Sequence, residues 1–286
     1  MAVWDHRNMS GPRRSVDIMA RVAVMQGPAA TGSVEQNLAA IEAAARESAA
    51  AGARLLVTPE MSATGYNIGD LTGERAESLD GPIVRAIIEL SQRYSLTVVA
   101  GLPEREQGRL YDIAVVVAPS GLVIARHRKV HLFAELDRDR FAPGDRLVTQ
   151  FECADRTFGL AVCYDVEFPE LVRAHADSGT DILVVPTGLM QPYTVVSRIL
   201  VPARAYENQL FIVYANRCGS ENGLEYCGDS VIVGPDGADL ARAGAEEELL
   251  IADLDAAALA DGRRRNTHLA DRRPDLYPAK PFGRRD

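Results

Sequence analysis

Two distant stretches of the chain carry one pattern. LYDIAVVVAPSGLVIA begins at Leu110 and YCGDSVIVGPDGADLA at Tyr226; in each, an apolar β-rich run meets Pro-x-Gly and a second run returns. Each reads as a hairpin. Before the first hairpin come RVAVMQ (Arg21–Gln26), a helical run from Val34, LLVTPEM (Leu55–Met61), the amphipathic PIVRAIIELSQRY (Pro82–Tyr94) and LTVVAGLPE (Leu96–Glu104). Before the second come FGLAVCYD (Phe158–Asp165), PELVRAHADS (Pro169–Ser178), DILVVPTG (Asp181–Gly188), a helix over Pro192–Asn208 and LFIVYANR (Leu210–Arg217). Strands alternating with helical runs predict an α/β fold. The weak internal repeat predicts one domain made of two similar halves. No proline- or glycine-rich linker divides the chain, so the domain is expected over 21–262. Residues 1–20 read as an N-terminal extension. Residues 263–286, with three prolines and many arginines, read as a tail that packs on the domain or on a partner subunit.

A length of 286 residues, 47% hydrophobic and 25% charged, suits a soluble globular chain. A net charge of -9 leaves no basic face for nucleic acid. No apolar run reaches the roughly 18–20 residues that span a bilayer, and the N-terminus lacks the apolar segment of a secretory signal. The four cysteines (Cys153, Cys163, Cys218, Cys227) make no disulfide framework. Cys218 and Cys227 lack the spacing and histidine partners of a zinc site. A reducing, cytoplasmic location is the expectation.

Three polar residues sit where apolar β-runs stop: Glu60 in LLVTPE, Lys129 in ARHRKVHLF and Cys163 in FGLAVC. Each alone has an ordinary explanation, as a solvated loop acid, a surface lysine or a small core thiol. Together they lie at C-terminal strand ends, the edge where α/β folds build their sites. A thiol with a pKa of about 8.5 is mostly protonated at neutral pH and needs a base and a nearby cation to act as a nucleophile. Glu60 can supply the first and Lys129 the second. The histidines offer no comparable partner, although His131 stays open as one.

LLVTPEMSATGY, HRKVHLF and VCYDVEFPE, supported by FAPGD, VPTG, PARAYEN, GDSVIVGPDG and DRRPDLY, resemble the nitrilase superfamily of carbon–nitrogen hydrolases. The motifs run in family order from Arg21 to Tyr277. The resemblance implies a four-layer α-β-β-α sandwich of two face-to-face sheets, a homodimer or higher homo-oligomer, and no metal or organic cofactor. Carried over by position, Glu60 resembles the general base, Lys129 the cation of the site and Cys163 the nucleophile. Many members carry a further glutamate before the PGD element. Here Asp137 falls at that place, one methylene shorter, and Glu135 two residues earlier is the second candidate.

The implied activity is hydrolysis of a small-molecule carboxamide to carboxylate and ammonia through a thioester, with N-carbamoyl compounds and nitriles as the alternatives. Tyr164 where nitrilases more often have tryptophan, and Val166-Glu167-Phe168 after it, look more like the aliphatic amidase branch, including (R)-stereoselective amidases and the aminovaleramide type. Tyr66, Tyr164 and Glu167 are the candidate substrate-binding residues. An acid at Glu167 favours an amine-bearing substrate; a salt bridge to a neighbouring arginine is the competing reading. A catalytically silent binder on the same fold is the non-enzyme alternative, and loss of Glu60, Lys129 or Cys163 would have pointed there. A glutamine-hydrolysing domain feeding a synthetase would require a fused partner domain, so it is set aside.

Overall fold

The computed structural model describes residues 18–29 and 32–277. In chain order the elements are β1 (Ile18–Pro28), α1 (Val34–Ala50), β2 (Leu55–Val57), α2 (Leu71–Arg75), α3 (Pro82–Tyr94), β3 (Thr97–Glu106), β4 (Arg109–Val117), β5 (Val123–Arg128) and α4 (Ala134–Arg138). The second half begins with β6 (Thr149–Cys153), β7 (Arg156–Leu160), a 3₁₀ turn (Cys163–Glu167), α5 (Pro169–Asp177), β8 (Ile182–Pro186), a π turn (Val196–Leu200) running into α6 (Val201–Asn208), and β9 (Phe211–Ala215). Short strands β10 (Arg217–Cys218), β11 (Ser220–Glu221) and β12 (Leu224–Glu225) precede β13 (Val231–Val233), β14 (Asp239–Arg242), β15 (Glu248–Asp255) and α7 (Ala256–Arg265).

The repeat seen in the hairpins extends through the pairing. In one sheet β1–β2 and β2–β3 are parallel, and β3–β4 and β4–β5 are antiparallel. In the other β7–β8 and β8–β9 are parallel, and β9–β13 and β13–β14 are antiparallel. Even the flanking strands correspond: β15 runs antiparallel beside β1, as β6 does beside β7. Side chains alternate between the faces of a strand, and this alternation makes the layers. Val22, Val24, Leu55, Val57, Val99 and Val116 face Phe158, Leu160, Ile182, Val184 and Val213 in a core between the two sheets. Their neighbours Ala23, Leu56, Val98 and Val115 point the other way, onto Ile41 of α1 and Ile83, Ile87 and Leu90 of α3. Leu183, Val185 and Ile212 likewise meet Leu171 and Val172 of α5 and Val201 of α6. The result is the expected α-β-β-α sandwich. Each fully buried aliphatic side chain contributes about 1.5–3 kcal/mol to holding it.

The helix ends follow local chemistry. Ser33 and Gln36 form a capping box at α1, with Ser33 Oγ accepting from Gln36 N and Gln36 Oε1 accepting from Ser33 N. Proline occupies the first turn of α3 and α5, where its missing N–H costs nothing.

Several boundaries differ from the sequence reading. β1 starts at Ile18, inside the segment read as an extension, because β15 continues to pair with it as far as Ile18↔Asp255. β2 ends at Val57, so Glu60 lies in the turn after it, and β7 ends at Leu160, so Cys163 opens the 3₁₀ turn. Helical backbone begins at Val196, not Pro192. Gln191 N is taken by Glu225 O (2.8 Å) and Met190 bridges to Tyr226, and the residues that follow turn before the helix starts, with Tyr193 N donating to Met190 O (3.0 Å). α7 crosses the 262/263 boundary. Beyond it Arg263 pairs with Asp181 (2.9 Å) and Arg272 with Asp177 (2.6 Å), so the described part of the tail lies against the same chain. Residues 1–17 and 278–286 of the proposed extension and tail fall outside the described residues. Among the described residues no helix is long and apolar enough to cross a membrane.

One buried histidine makes stability pH-dependent. His175 of α5 has Nε2 3.1 Å from Leu160 O and Nδ1 3.1 Å from Thr180 Oγ1, a pattern that a neutral ring completes by donating once and accepting once. Burial, reinforced by nearby His127, pushes its pKa down to about 4. An unfolded histidine titrates near about 6.5. Between these values the unfolded chain binds a proton that the folded chain refuses. Stability is therefore expected to fall by about 3 kcal/mol as pH drops through that window. Urea unfolding midpoints at neutral pH and near pH 4.5, with His175→Gln as the control, measure it; an unchanged slope in that variant would show that His175 is not the cause.

Candidate active site

Lys129 follows β5 directly and points into the space between the sheets with no exposed side-chain surface. Its backbone is held on both sides: Lys129 N donates to Asp112 O (2.9 Å) and Gly144 N donates to Lys129 O (2.8 Å). Lys129 Nζ contacts Glu60 Oε1 at 2.7 Å, Asp137 Oδ2 at 2.7 Å and Asp112 Oδ2 at 3.4 Å. Burial by itself disfavours the ammonium, but the surrounding negative charge, Glu60 foremost, outweighs it and holds the Lys129 pKa well above the ordinary lysine range. A buried lysine that keeps its proton is a fixed positive charge in a medium that screens little.

Glu60 reaches Lys129 because its turn lies almost flat on β3. A Cβ at Gly101 would stand 2.6 Å from Glu60 Cα and 2.8 Å from Met61 N, so only glycine permits that approach. Glu60 N donates to Thr187 O (3.2 Å), and the buried Arg217 gives its Nε to Glu60 O (2.9 Å). With Oε1 committed to Lys129, Glu60 Oε2 is buried without a hydrogen-bond partner. A Cβ built on Gly188 would come 3.0 Å from that oxygen.

Of the two candidate second acids, the structure brings Asp137 to the lysine. Asp137 is fully buried; its Oδ1 accepts from Tyr66 OH (2.7 Å) and its Oδ2 from Phe133 N (2.8 Å), besides meeting Lys129. The missing methylene is made up by the short α4, which starts its turn beside the lysine. Glu135 points into solvent and pairs with Arg138.

Cys163 takes φ +48°, a left-handed conformation that costs a non-glycine residue of order 1–3 kcal/mol and survives only where its surroundings enforce it. Asp165, two residues on and fully buried, does the enforcing. It accepts from Val162 N (3.1 Å), Val130 N (3.2 Å) and His131 N (2.9 Å), and contacts His127 Nε2 (3.3 Å) and His131 Nδ1 (2.8 Å). Burial opposes its charge, but the bonds from His127 and His131 prevail and hold Asp165 well below the usual carboxylate range. One carboxylate thus ties the cysteine turn to the segment that follows Lys129. His131, the open alternative as a base, faces Asp165 and stacks on Phe168 with ring centres 3.7 Å apart. Burial pushes the Cys163 thiol well above its ordinary range and the charge of Glu60 adds to this, while Lys129, Thr187 and the Gly188 backbone work against it. The balance favours the thiol over a preformed thiolate.

A small cleft opens over the sulfur, with about 290 Å³ of empty space counting its mouth; Tyr66, Cys163, Tyr164, Glu167, Gly188 and Tyr193 are among its walls. Tyr164 stands edge-on to Phe133 and Phe168. Arg204 gives Nη2 to the Glu167 main-chain oxygen (2.8 Å) and pairs Nη1 with Glu207 (3.0 Å). It makes no salt bridge with the Glu167 carboxylate among the described residues, contrary to the competing reading of that acid.

Sequence reasoning missed three acids, Asp165 of the cysteine turn and two others. Asp112 sits in LYDIAVVV, and a charge inside an apolar strand was a usable signal. Glu221 lies in the polar loop GSENG, yet it is buried and accepts from Asn67 N (2.8 Å) and Tyr226 OH (2.5 Å), pinning the Tyr66 loop. Nothing in its local sequence marks it. Among the described residues no group of three or more His, Cys, Asp or Glu side chains has the arrangement of a metal site.

Comparison with known proteins supplies the context for this geometry. The model of the "Carbon-nitrogen hydrolase" family matches residues 21–264. An "(R)-stereoselective amidase" from a Pseudomonas species is 39% identical over 236 residues, 81% of this chain and 85% of that protein. An amidase from Nesterenkonia sp. has a crystal structure that aligns with a TM-score of 0.82 at 35% identity, covering 91% of this chain and 95% of that one. A glutamate-to-glutamine variant of the Nesterenkonia enzyme, TM-score 0.83 at 34% identity over 93% and 97% of the two chains, carries the acetamide moiety of fluoroacetamide added covalently to its active-site cysteine.

Proposed function

The chain belongs to the carbon–nitrogen hydrolase family, and on that premise we propose that it hydrolyses a small carboxamide to a carboxylate and ammonia through a thioester on Cys163. One observation carries the reading: Glu60 is anchored to Lys129 through one oxygen and leaves its other buried oxygen unpartnered behind Gly188, a residue that lines the cleft over Cys163. That oxygen is the acceptor for the thiol proton. Sulfur attacks the carbonyl carbon, and the oxyanion is stabilised by Lys129 and the Tyr164 N–H, each donor of this kind being worth about 3–4 kcal/mol. Protonated Glu60 then gives its proton to the departing nitrogen, which leaves as ammonia. Water, deprotonated by Glu60, attacks the thioester; the carboxylate leaves and the thiol is restored. Ammonia release across a panel of amides, nitriles and N-carbamoyl compounds tests the reaction class, and faster turnover of either of the latter two groups would replace the amide reading.

Glu167 points the substrate class toward amides that carry an amine. Its carboxyl lines the same cleft and forms no ion pair with Arg204 among the described residues, and burial raises its pKa although the charges of Arg204 and Lys129 work against this; an ammonium on the substrate would relieve that cost. Turnover of 5-aminopentanamide and prolinamide is expected to fall about ten- to a hundredfold in Glu167→Ala, the worth of a charged hydrogen bond. Pentanamide should be nearly unaffected; equal losses on both substrate types would remove Glu167 from specificity. Exposed Ile199 on the π turn, Tyr206 on α6 and Leu276 and Tyr277 in the tail support a homodimer or higher homo-oligomer, which sedimentation velocity would check.

A further inference from the structure

Asp112 has no part in the reaction above, yet it adjoins the Glu60–Lys129 pair. It is 1% exposed, its Oδ2 is 3.4 Å from Lys129 Nζ, and neither carboxyl oxygen receives a hydrogen bond. Three groups charge its surroundings: Glu60 from the turn after β2, Lys129 after β5 and Asp137 from α4. Across the ladder its partner on β3 is Pro103, which carries no charge. Three buried carboxylates around one ammonium would leave two uncompensated negative charges where water does not reach. Adjacent carboxyls in such a place do not both stay ionised, and one keeps a proton. Geometry selects which. Asp137 receives Tyr66 OH, Phe133 N and Lys129, and Glu60 receives Lys129 at 2.7 Å. Asp112 has only the long contact. Burial, with the charge of Glu60 behind it, also raises the Asp112 pKa well above the carboxylate range.

We infer that Asp112 stands in the resting site as a neutral carboxylic acid donating its proton to the Glu60 oxygen that Lys129 already holds, a positioning residue that keeps Glu60 ionised and leaves its other oxygen ready for the thiol proton. The inference rests on the reading of Glu60 as the base. A neutral Asp112 also leaves the third Lys129 N–H uncommitted to an anion, and so available to the oxyanion.

Infrared difference spectra of wild type against Asp112→Asn test the protonation state without turnover. The expected result is the C=O stretch of a protonated carboxyl at neutral pH, lost in the variant; its absence from wild type overturns the inference. Kinetics test the role. Asparagine can still donate, so Asp112→Asn should keep kcat/KM within about threefold and leave the acid limb of its pH profile in place. Asp112→Val cannot donate, and its acid limb should move up by about one to two pH units. A downward shift of that limb in Asp112→Asn, as follows from deleting a negative charge beside Glu60, would also overturn the inference. Should the valine variant fail to fold, the asparagine variant and the infrared band decide. Failure of the parent reading looks different: wild type would release no ammonia from any amide, whatever the infrared band shows.

Discussion

Cys163→Ala is expected to lower kcat/KM for carboxamides by about 10⁴-fold or more, because no other group replaces a missing nucleophile. Alanine keeps the backbone carbons of the turn and loses only the sulfur. The left-handed backbone at this position is held by Asp165 and its five partners, none of which touches the sulfur. The unfolding midpoint should therefore move little, so that lost activity is not lost fold. Rapid-quench mass spectrometry should find wild-type protein heavier by one acyl group during turnover and the alanine variant unmodified. Undiminished turnover in Cys163→Ala would end the thioester reading.

Glu60→Gln is expected to cost about 10²–10⁴-fold in kcat/KM, the range of a positioned general base. The amide is isosteric and its oxygen can still accept from Lys129 Nζ, now 2.7 Å from Glu60 Oε1. What disappears is the ability to take a proton. The thiol makes this loss severe: burial and neighbouring charge hold it in the protonated form, so it does not ionise unaided. Removing one negative charge from a site with three buried carboxyls and one ammonium should leave stability nearly unchanged, since one of the three is already hard to ionise there. The distinguishing measurement is thiol alkylation against pH. In Glu60→Gln the rate of Cys163 alkylation by iodoacetamide at neutral pH should fall for want of the base, although loss of the carboxylate charge eases ionisation of the thiol at higher pH; an undiminished neutral-pH rate would show that Glu60 is not the proton acceptor.

Local pattern made much of the molecule legible. Short continuous apolar, β-rich runs marked the strands, helical spacing and proline at N-terminal turns marked α3 and α5, and the recurring Pro-x-Gly hairpin showed two like halves. The observed pairing matches strand for strand across the halves. Boundaries were less legible, because a partner far along the chain sets them. β1 runs back past Arg21 to Ile18 because β15 pairs with it there, and the helix read from Pro192 waits until Val196 because Glu225 and Tyr226 hold the preceding residues.

By itself the sequence determined the α/β class, the two-fold repetition, and the three positions, Glu60, Lys129 and Cys163, at which apolar runs stop on polar residues. These are properties of neighbouring residues and of spacing, so the one-dimensional record contains them. Tertiary structure alone decided that Asp137 rather than Glu135 meets the lysine, that His131 turns to Asp165, and that Asp112 and Glu221 are buried acids. The physical reason is common to all of them. The energy of a buried charge depends on what surrounds it in space, and here those surroundings come from turns and strand ends as much as 155 residues apart, as between Tyr66 and Glu221.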